Sequence, residues 1–342
     1  MNQVYLVFFV TFMISFLLTP LARRLAFKLD VLDYPKDARK LHKKPIPYLG
    51  GVAIYVAAMV GMFLFLELDR TTVSVMVGGS LIFILGLVDD IRDVPAKIKL
   101  AGQIVASLVA IWGGVLIAWV TNPLPNSEIV LLLNLSIPVT LIWIVGITNT
   151  INLIDGIDGL ASGVAAIAAT TLMFIAAING FEFIVIECAI LAGATLGFLP
   201  YNFNPAKIFM GDTGALFLGY MLAVLSIRGV MKTVTLITLV GMVFVLGIPI
   251  LDTGFAIVRR LINKKPIMEA DKGHLHHRLV EKGFTQKETV MILYAISIAF
   301  GATAIYLTDT GPYEGVFVIL IASVVIVLVG KKFGLISGSK KK

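Results

Sequence analysis

Charge is what this chain has least of. Only 14% of its 342 residues are Asp, Glu, Lys or Arg, 58% are hydrophobic, and the mean hydropathy is +0.96. Soluble domains carry about a quarter charged residues, so a water-soluble enzyme is excluded. The single cysteine, Cys188, lies inside an apolar run. It rules out an intrachain disulfide and has the plain role of a small buried hydrophobe. The apolar runs do not alternate with polar residues, which excludes a transmembrane β-barrel. Ionisable residues within the runs are scarce, Glu187 and Asp252 being the main cases. No internal repeat is visible, and no acidic ring or filter sequence. A secondary transporter, which needs midplane charges and related halves, is therefore the weaker alternative, and a channel has no support.

What is present is a succession of long apolar runs. A helical span needs roughly 20 apolar residues. The pattern predicts an all-α, polytopic membrane protein with about 11 spans near 3–22, 48–67, 71–88, 100–120, 129–148, 160–178, 183–199, 214–230, 235–257, 289–307 and 315–331. Residues 3–22 have no basic residue before them and no small-residue cleavage site, so they read as a span and not a signal peptide. The layout makes a single transmembrane domain of residues 1–342. All but three of the 28 lysines and arginines, the exceptions being Arg70, Arg228 and Lys232, then fall on one side. The positive-inside rule makes that side cytosolic, with the N-terminus outside and the C-terminus inside. The net charge of +7 thus records membrane orientation, and no nucleic-acid partner is expected. The cytosolic segments are 23–47, 89–99, 149–159, 200–213 and 258–288, with a basic tail at 332–342 that suits anionic headgroups.

Nearly all recognisable chemistry falls on that side, where apolar runs stop. Asp89-Asp90 ends the third span, and two carboxylates at a helix C-terminus oppose its dipole. A metal, a basic partner or a proton-transfer role would offset that cost, and Arg92, Lys97 and Lys99 are nearby counter-ions. In the segment Asn149–Gly159, Asn152, Asp155 and Asp158 recur every three residues, so one helical or 3₁₀-like turn can point all three inward. Such oxygen ligands suit Mg²⁺ or Mn²⁺; Asx residues also cap helices, here the one starting near Leu160. Asp212 lies between glycines just before a span, placed to cap it or to hold a cation while backbone N–H groups face phosphate. Phe209 can stack on a flat ring or anchor in the membrane. Three of the four histidines, His274, His276 and His277, cluster between Lys272 and Arg278. Without cysteines or a nearby carboxylate pair this is a poor zinc set and a better anion site. Asp252 has Arg259 as a candidate partner. Lys40–Gly51, with Lys43 and Lys44 followed by prolines and two glycines, can clamp a phosphate or simply set topology.

Taken in order, Lys43…Pro47…Gly50-Gly51, Asp89-Asp90, Asn152…Asp155…Asp158, Phe209-Met210-Gly211-Asp212 and the histidine loop resemble the polyprenyl-phosphate N-acetylhexosamine-1-phosphate transferase superfamily, across residues 40–280. The branch that uses UDP-MurNAc-pentapeptide has three consecutive histidines, whereas this chain has His274-Leu275-His276-His277. With Lys43-Lys44-Pro45-Ile46-Pro47, that departure resembles the WecA/TagO-like branch, which uses UDP-GlcNAc. The resemblance implies transfer of GlcNAc-1-phosphate from UDP-GlcNAc to undecaprenyl phosphate with release of UMP, at the cytosolic face of a bacterial cell membrane, as the first membrane step of a surface glycan pathway. It implies Mg²⁺ held by Asp212 and Asn152, with Mn²⁺ a possible substitute. Asp89 would deprotonate or orient the lipid phosphate, and Asp90, Asp155 and Asp158 would shape the site or assist the metal. Lys43, Phe209, His274, His276, His277 and Arg278 would engage lipid phosphate, uracil and sugar phosphate. A homodimer is frequent in the family. Direct attack by the lipid phosphate and double displacement through an Asp nucleophile both fit the motifs; adjacent carboxylates suit a base with a neighbour, which favours direct attack.

Overall fold

The computed structural model describes residues 2–34, 45–121, 129–230, 245–262 and 275–308, together with Val243 and a few positions between 310 and 321. The helices are α1 (Asn2–Lys28), α2 (Gly50–Phe65), α3 (Arg70–Ile91), α4 (Ala96–Trp112), α5 (Ser136–Ile154), α6 (Leu160–Ile178), α7 (Glu182–Asn202), α8 (Gly211–Val230), α9 (Gly247–Ile262), the short α10 (Leu275–Glu281) and α11 (Gln286–Thr308). Two antiparallel ladders join them: β1 (Leu32–Asp33) with β2 (Ile46–Pro47), and β3 (Trp119–Thr121) with β4 (Ile129–Leu131). By length and composition α1, α3, α5 with the 3₁₀ turn before it, α6, α7 and α11 can each cross a bilayer, and α2 is a shorter apolar helix.

Two expected spans are displaced. The run expected at 100–120 starts at Ala96 and stops at Trp112, where Gly113 and Gly114 (φ +107°) turn the chain into β3. The run expected at 129–148 begins as strand β4, and its helix continues to Ile154. Ile129-Val130-Leu131 is β-favouring and finds a partner in β3, so its backbone groups are satisfied without a helix. At the other end Asn149 does not break α5. Its amide donates to Val145 O at 2.8 Å and engages Gln103 on α4, so it does not compete with the helix backbone. The expected spans 235–257 and 315–331 lie partly outside the described residues.

Small residues on the inside and large ones on the outside hold the bundle together. Tyr5, Leu6, Phe9, Leu17, Ile84, Ile142 and Ile298 are exposed, while alanines and glycines fill the interior. That distribution suits a lipid solvent, in which helices associate by close packing and not by hydrophobic exclusion. Gly193 and Gly197 on α7 show how: a Cβ there would lie 2.5 Å from Phe8 O and 2.3 Å from Phe12 O respectively, so α1 rides directly on the α7 backbone. The central helix is α8, packed against α2, α3, α5, α6 and α7. It is apolar all round, with Leu216, Phe217, Leu218, Tyr220 and Leu222 fully buried, as a core helix should be. At one end of the bundle Arg70 donates to Trp112 O (2.6 Å) and Glu187 pairs with Arg228. Glu187 is thus held in an interhelical ion pair. At the opposite end the turns after α3, α5 and α7 meet around the start of α8.

A prediction follows from the α2–α8 contact. A Cβ on Gly51 would lie 2.2 Å from Gly214 N, whereas one on Gly146 meets nothing within 4 Å among the described residues. Gly51→Val should force the helices apart and cost at least 1–3 kcal/mol, the usual range for overpacking (roughly). Thermal unfolding in detergent should show a lower midpoint or little folded protein. Gly146→Val should unfold like the native chain.

Candidate active site

The site is built on the N-terminus of α8. Gly211 adopts φ +71°, and a Cβ there would lie 2.3 Å from Asp90 Oδ2, so glycine is required on both counts. The turn it makes leaves the first N–H groups of α8 without partners in their own helix. Asp90, from the last turn of α3, supplies them. Its Oδ1 accepts from Asp212 N (2.8 Å), and its Oδ2 accepts from Thr213 N (3.0 Å) and from the Thr213 hydroxyl. The adjacent carboxylates of the motif therefore part company: Asp90 faces the helix terminus and Asp89 faces α4.

Lys99, in the first turn of α4, donates to Asp89 Oδ2 at 2.6 Å and to Asp212 Oδ2 at 2.8 Å. It was expected as one of several counter-ions to Asp89-Asp90; in the fold it bridges Asp89 and Asp212, residues 123 positions apart in sequence only by virtue of the α3–α8 contact. Asp89 also accepts from Val94 N (2.8 Å). Asn152, in the last turn of α5, reaches Asp212 Oδ2 at 3.4 Å. Four side chains from α3, α4, α5 and α8 thus converge on one point.

Beside this cluster opens a cleft of about 370 Å³, bounded by Tyr48, Asp155, Asp158, Phe209 and His277 among others. Asp155 caps the end of α5 and contributes to the wall. Asp158 accepts from Asn204 Nδ2 and Ala206 N, both at 3.0 Å, and so ties the α5–α6 turn to the α7–α8 loop. Asn204 also donates to Gln286 of α11 (2.8 Å). Phe209 is held by its backbone, its N–H donating to Pro47 O (2.8 Å) and its carbonyl accepting from Gly50 N (3.0 Å). Its ring tilts against Tyr48 with centroids 5.7 Å apart. The histidine segment reaches the same place on α10. A Cβ on Gly156 would lie 2.6 Å from His276 Nε2, and the His276 and His277 rings are 4.2 Å apart. Arg278 follows on the same short helix. Asp252 accepts from Leu275 N (2.7 Å), fixing the start of α10. Lys43, His274 and the side chain of Arg259 lie outside the described residues.

Sequence reasoning missed Lys99 as a member of the site, along with Gln103, Asn204, Tyr48 and Gln286. One signal was available for the first two: Lys99 and Gln103 are four apart at the start of an apolar helix, and so share a face.

Comparison with known proteins matches the stretch of chain that carries these residues. The profile of glycosyl transferase family 4 covers residues 72–230, which hold α3 to α8 and the four converging side chains. A probable undecaprenyl-phosphate N-acetylglucosaminyl 1-phosphate transferase of Bacillus subtilis is 37% identical over 98% of this chain and 94% of its own length. The chain belongs to glycosyl transferase family 4. An undecaprenyl-phosphate α-N-acetylglucosaminyl 1-phosphate transferase of Thermotoga maritima is 32% identical over 84% of this chain and 85% of its own. A phospho-N-acetylmuramoyl-pentapeptide-transferase of Halalkalibacterium halodurans is 31% identical over 88% and 94%.

The donor set of this family 4 chain fits a hard divalent cation. Asp212 and Asn152 offer a carboxylate and, once the amide is turned over, a carbonyl oxygen, with Asp89 close by. Among the described residues no three His, Cys, Asp or Glu side chains form a ready cage. Mg²⁺ asks for none, since it keeps waters and takes phosphate oxygens as ligands. Excess negative charge is already evident at the cleft wall. Burial pushes the Asp155 carboxyl up to about 8, and the carboxylates of Asp212, Asp90 and Asp158 push the same way.

Asp155 therefore carries its proton at neutral pH in the metal-free fold. A carboxyl raised on folding binds more protons in the native than in the unfolded state, so stability falls as pH rises from its ordinary value of 3.8 toward about 8. In chelator-treated protein, the unfolding midpoint should drop between pH 5 and pH 8 by more in the native chain than in Asp155→Asn. Equal slopes would show that the site does not disfavour the charge.

Proposed function

We propose that this protein transfers GlcNAc-1-phosphate from UDP-GlcNAc to a polyprenyl phosphate, releasing UMP, at the cytosolic face of a bacterial plasma membrane. The observation that carries the reading is the convergence of Asp89, Lys99, Asn152 and Asp212 at one end of an apolar helix bundle. The relatives named for this transfer, aligned over most of the chain, support it. So does the basic character of the segments expected on that side.

The chemistry follows from charge. An oxygen of the lipid phosphate attacks the sugar-bearing phosphorus of the donor. The bond from that phosphorus to the bridging oxygen breaks, and UMP leaves with the electron pair. Two anions must meet, so catalysis is mainly positioning and neutralisation. Lys99 would bring a positive charge to the meeting point, and Asp89, hydrogen-bonded to Lys99 and Val94 N, would deprotonate or orient the acceptor phosphate. Asp212 and Asn152 would hold Mg²⁺, which when bound screens the pyrophosphate charge. Asp90 keeps the α8 terminus in place, Asp158 holds the α7–α8 loop, and Phe209 and Tyr48 offer aromatic faces for the base. His277 lines the cleft from α10, with His276 against Gly156 and Arg278 on the same helix, and their donors would suit sugar phosphate. The acceptor's headgroup can reach this point while its chain stays in lipid, because the cluster lies at the helix ends.

The test is UMP release by purified protein in detergent with undecaprenyl phosphate and Mg²⁺. UDP-GlcNAc should support lipid-dependent release and UDP-MurNAc-pentapeptide should not; the reverse outcome would move the protein to the other donor. Asp212→Asn should abolish turnover. Lys99→Met should lower kcat by a factor on the order of 10²–10³, the usual effect of removing one group that stabilises transition-state charge. Full activity in Lys99→Met would remove Lys99 from the mechanism.

A further inference from the structure

One polar contact near the site has no part in the proposed chemistry. Gln103 on α4 is almost fully buried, with 2% exposure. It exchanges two hydrogen bonds with Asn149 on α5: Gln103 Nε2 donates to Asn149 Oδ1 at 3.2 Å, and Asn149 Nδ2 donates to Gln103 Oε1 at 2.6 Å. Among the described residues these are the only side-chain to side-chain hydrogen bonds between the two helices. Gln103 lies one turn beyond Lys99 on α4, and Asn149 lies one turn before Asn152 on α5. Lys99 and Asn152 in turn both contact Asp212 Oδ2. The contacts form a closed circuit: Lys99 to Asp212 to Asn152, along α5 to Asn149, across to Gln103, and back along α4.

We infer that Gln103 and Asn149 are positioning residues that set the distance between Lys99 and Asn152. A pair of amides in an apolar bundle is a costly way to join two helices, since each leaves an unsatisfied polar group if the other moves away. That cost is what gives the pair two-sided definition. An apolar contact tolerates sliding, whereas reciprocal amide bonds hold only in one register. Here the register fixes whether the Lys99 ammonium and the Asn152 amide flank the same carboxylate oxygen. The inference rests on the reading of that cluster as the reaction centre, and the test separates the two.

The variants are Gln103→Leu, Asn149→Leu, the double Leu variant, and the exchanged pair Gln103→Asn with Asn149→Gln. Asn149→Leu strands the buried Gln103 amide and should lower both the unfolding midpoint and kcat. Gln103→Leu leaves the half-buried Asn149 its bond to Val145 O and should lower the midpoint less, with a similar loss in kcat. The double Leu variant removes both amides and should recover stability, because replacing both partners by apolar groups is nearly neutral. Its kcat should nonetheless stay about 10–100-fold low, the scale expected for misplacement of a reacting group by about 1 Å, with the KM for lipid acceptor little changed. Mn²⁺ binding to the protein alone, followed by electron paramagnetic resonance, should weaken about tenfold in the double Leu variant for the same reason. The exchanged pair, which keeps reciprocal donors and acceptors, should recover part of both. A double Leu variant with native kcat and native Mn²⁺ affinity would overturn the inference and leave the pair as interhelical glue. If native protein releases no UMP from UDP-GlcNAc, the donor reading fails while the Mn²⁺ comparison still decides this one. Absence of both signals in folded native protein overturns both.

Discussion

The arrangement depends on a carboxylate from one helix meeting the open N-terminus of another. α8 is buried along its whole length, so its first N–H groups cannot turn to water, and an unsatisfied donor there would cost about 1–3 kcal/mol. Asp90 satisfies them from α3; burial pushes its carboxyl up to about 7, and the donors and dipole of the α8 terminus work against that rise. The same contact fixes where Asp212 begins and which way Asp89 faces. Gly86 on α3 allows the approach, since a Cβ there would lie 2.5 Å from Asp212 O. Removing that close contact would move α3, and with it one of the two carboxylates that Lys99 bridges.

The interior explains why such an exacting contact can persist in lipid. Helices packed through glycine and alanine come close enough for backbone atoms to touch, as α7 does with α1 and α2 with α8. A bundle built this way has little freedom to slide, so groups at its ends stay in register. The polar residues are concentrated at those ends, where they can be hydrated. Away from the candidate site two interhelical pairs join polar side chains, Gln103 with Asn149 and Glu187 with Arg228. Chemistry on a lipid headgroup asks for this division, with a rigid apolar scaffold and a charged, accessible rim.

The loops around the cleft follow another logic. Ile157, Ile208 and Met210 anchor them in the core, and hydrogen bonds set their course: Asp158 and Gln286 grip Asn204, Pro47 and Gly50 grip Phe209, and Tyr294 donates to Gly159 O. Residues that look like candidate catalysts in sequence thus include several whose visible bonds serve position. Asp90 and Asp158 are of this kind. Asp89, Lys99, Asn152 and Asp212 are instead linked to one another by hydrogen bonds.

Much of this was legible in the chain alone. Low charge and continuous apolar runs determined the helical membrane class, because the bilayer tolerates few other ways of satisfying a backbone. The ordered motifs picked out carboxylates and a histidine segment that the fold brings to the same end of the bundle, His274 lying outside the described residues. Local pattern failed where a partner distant in sequence decided the outcome. Ile129–Leu131 became a strand because Trp119–Thr121 lay opposite, and Asn149 stayed helical because Gln103 met its amide. Composition could mark Lys99 as a cation near Asp89-Asp90, but not that it would reach Asp212 and leave Asp90 to cap α8. Hydrophobicity is additive along a chain and can be read from it; hydrogen-bond partnership across helices depends on register, and only the packed fold sets that.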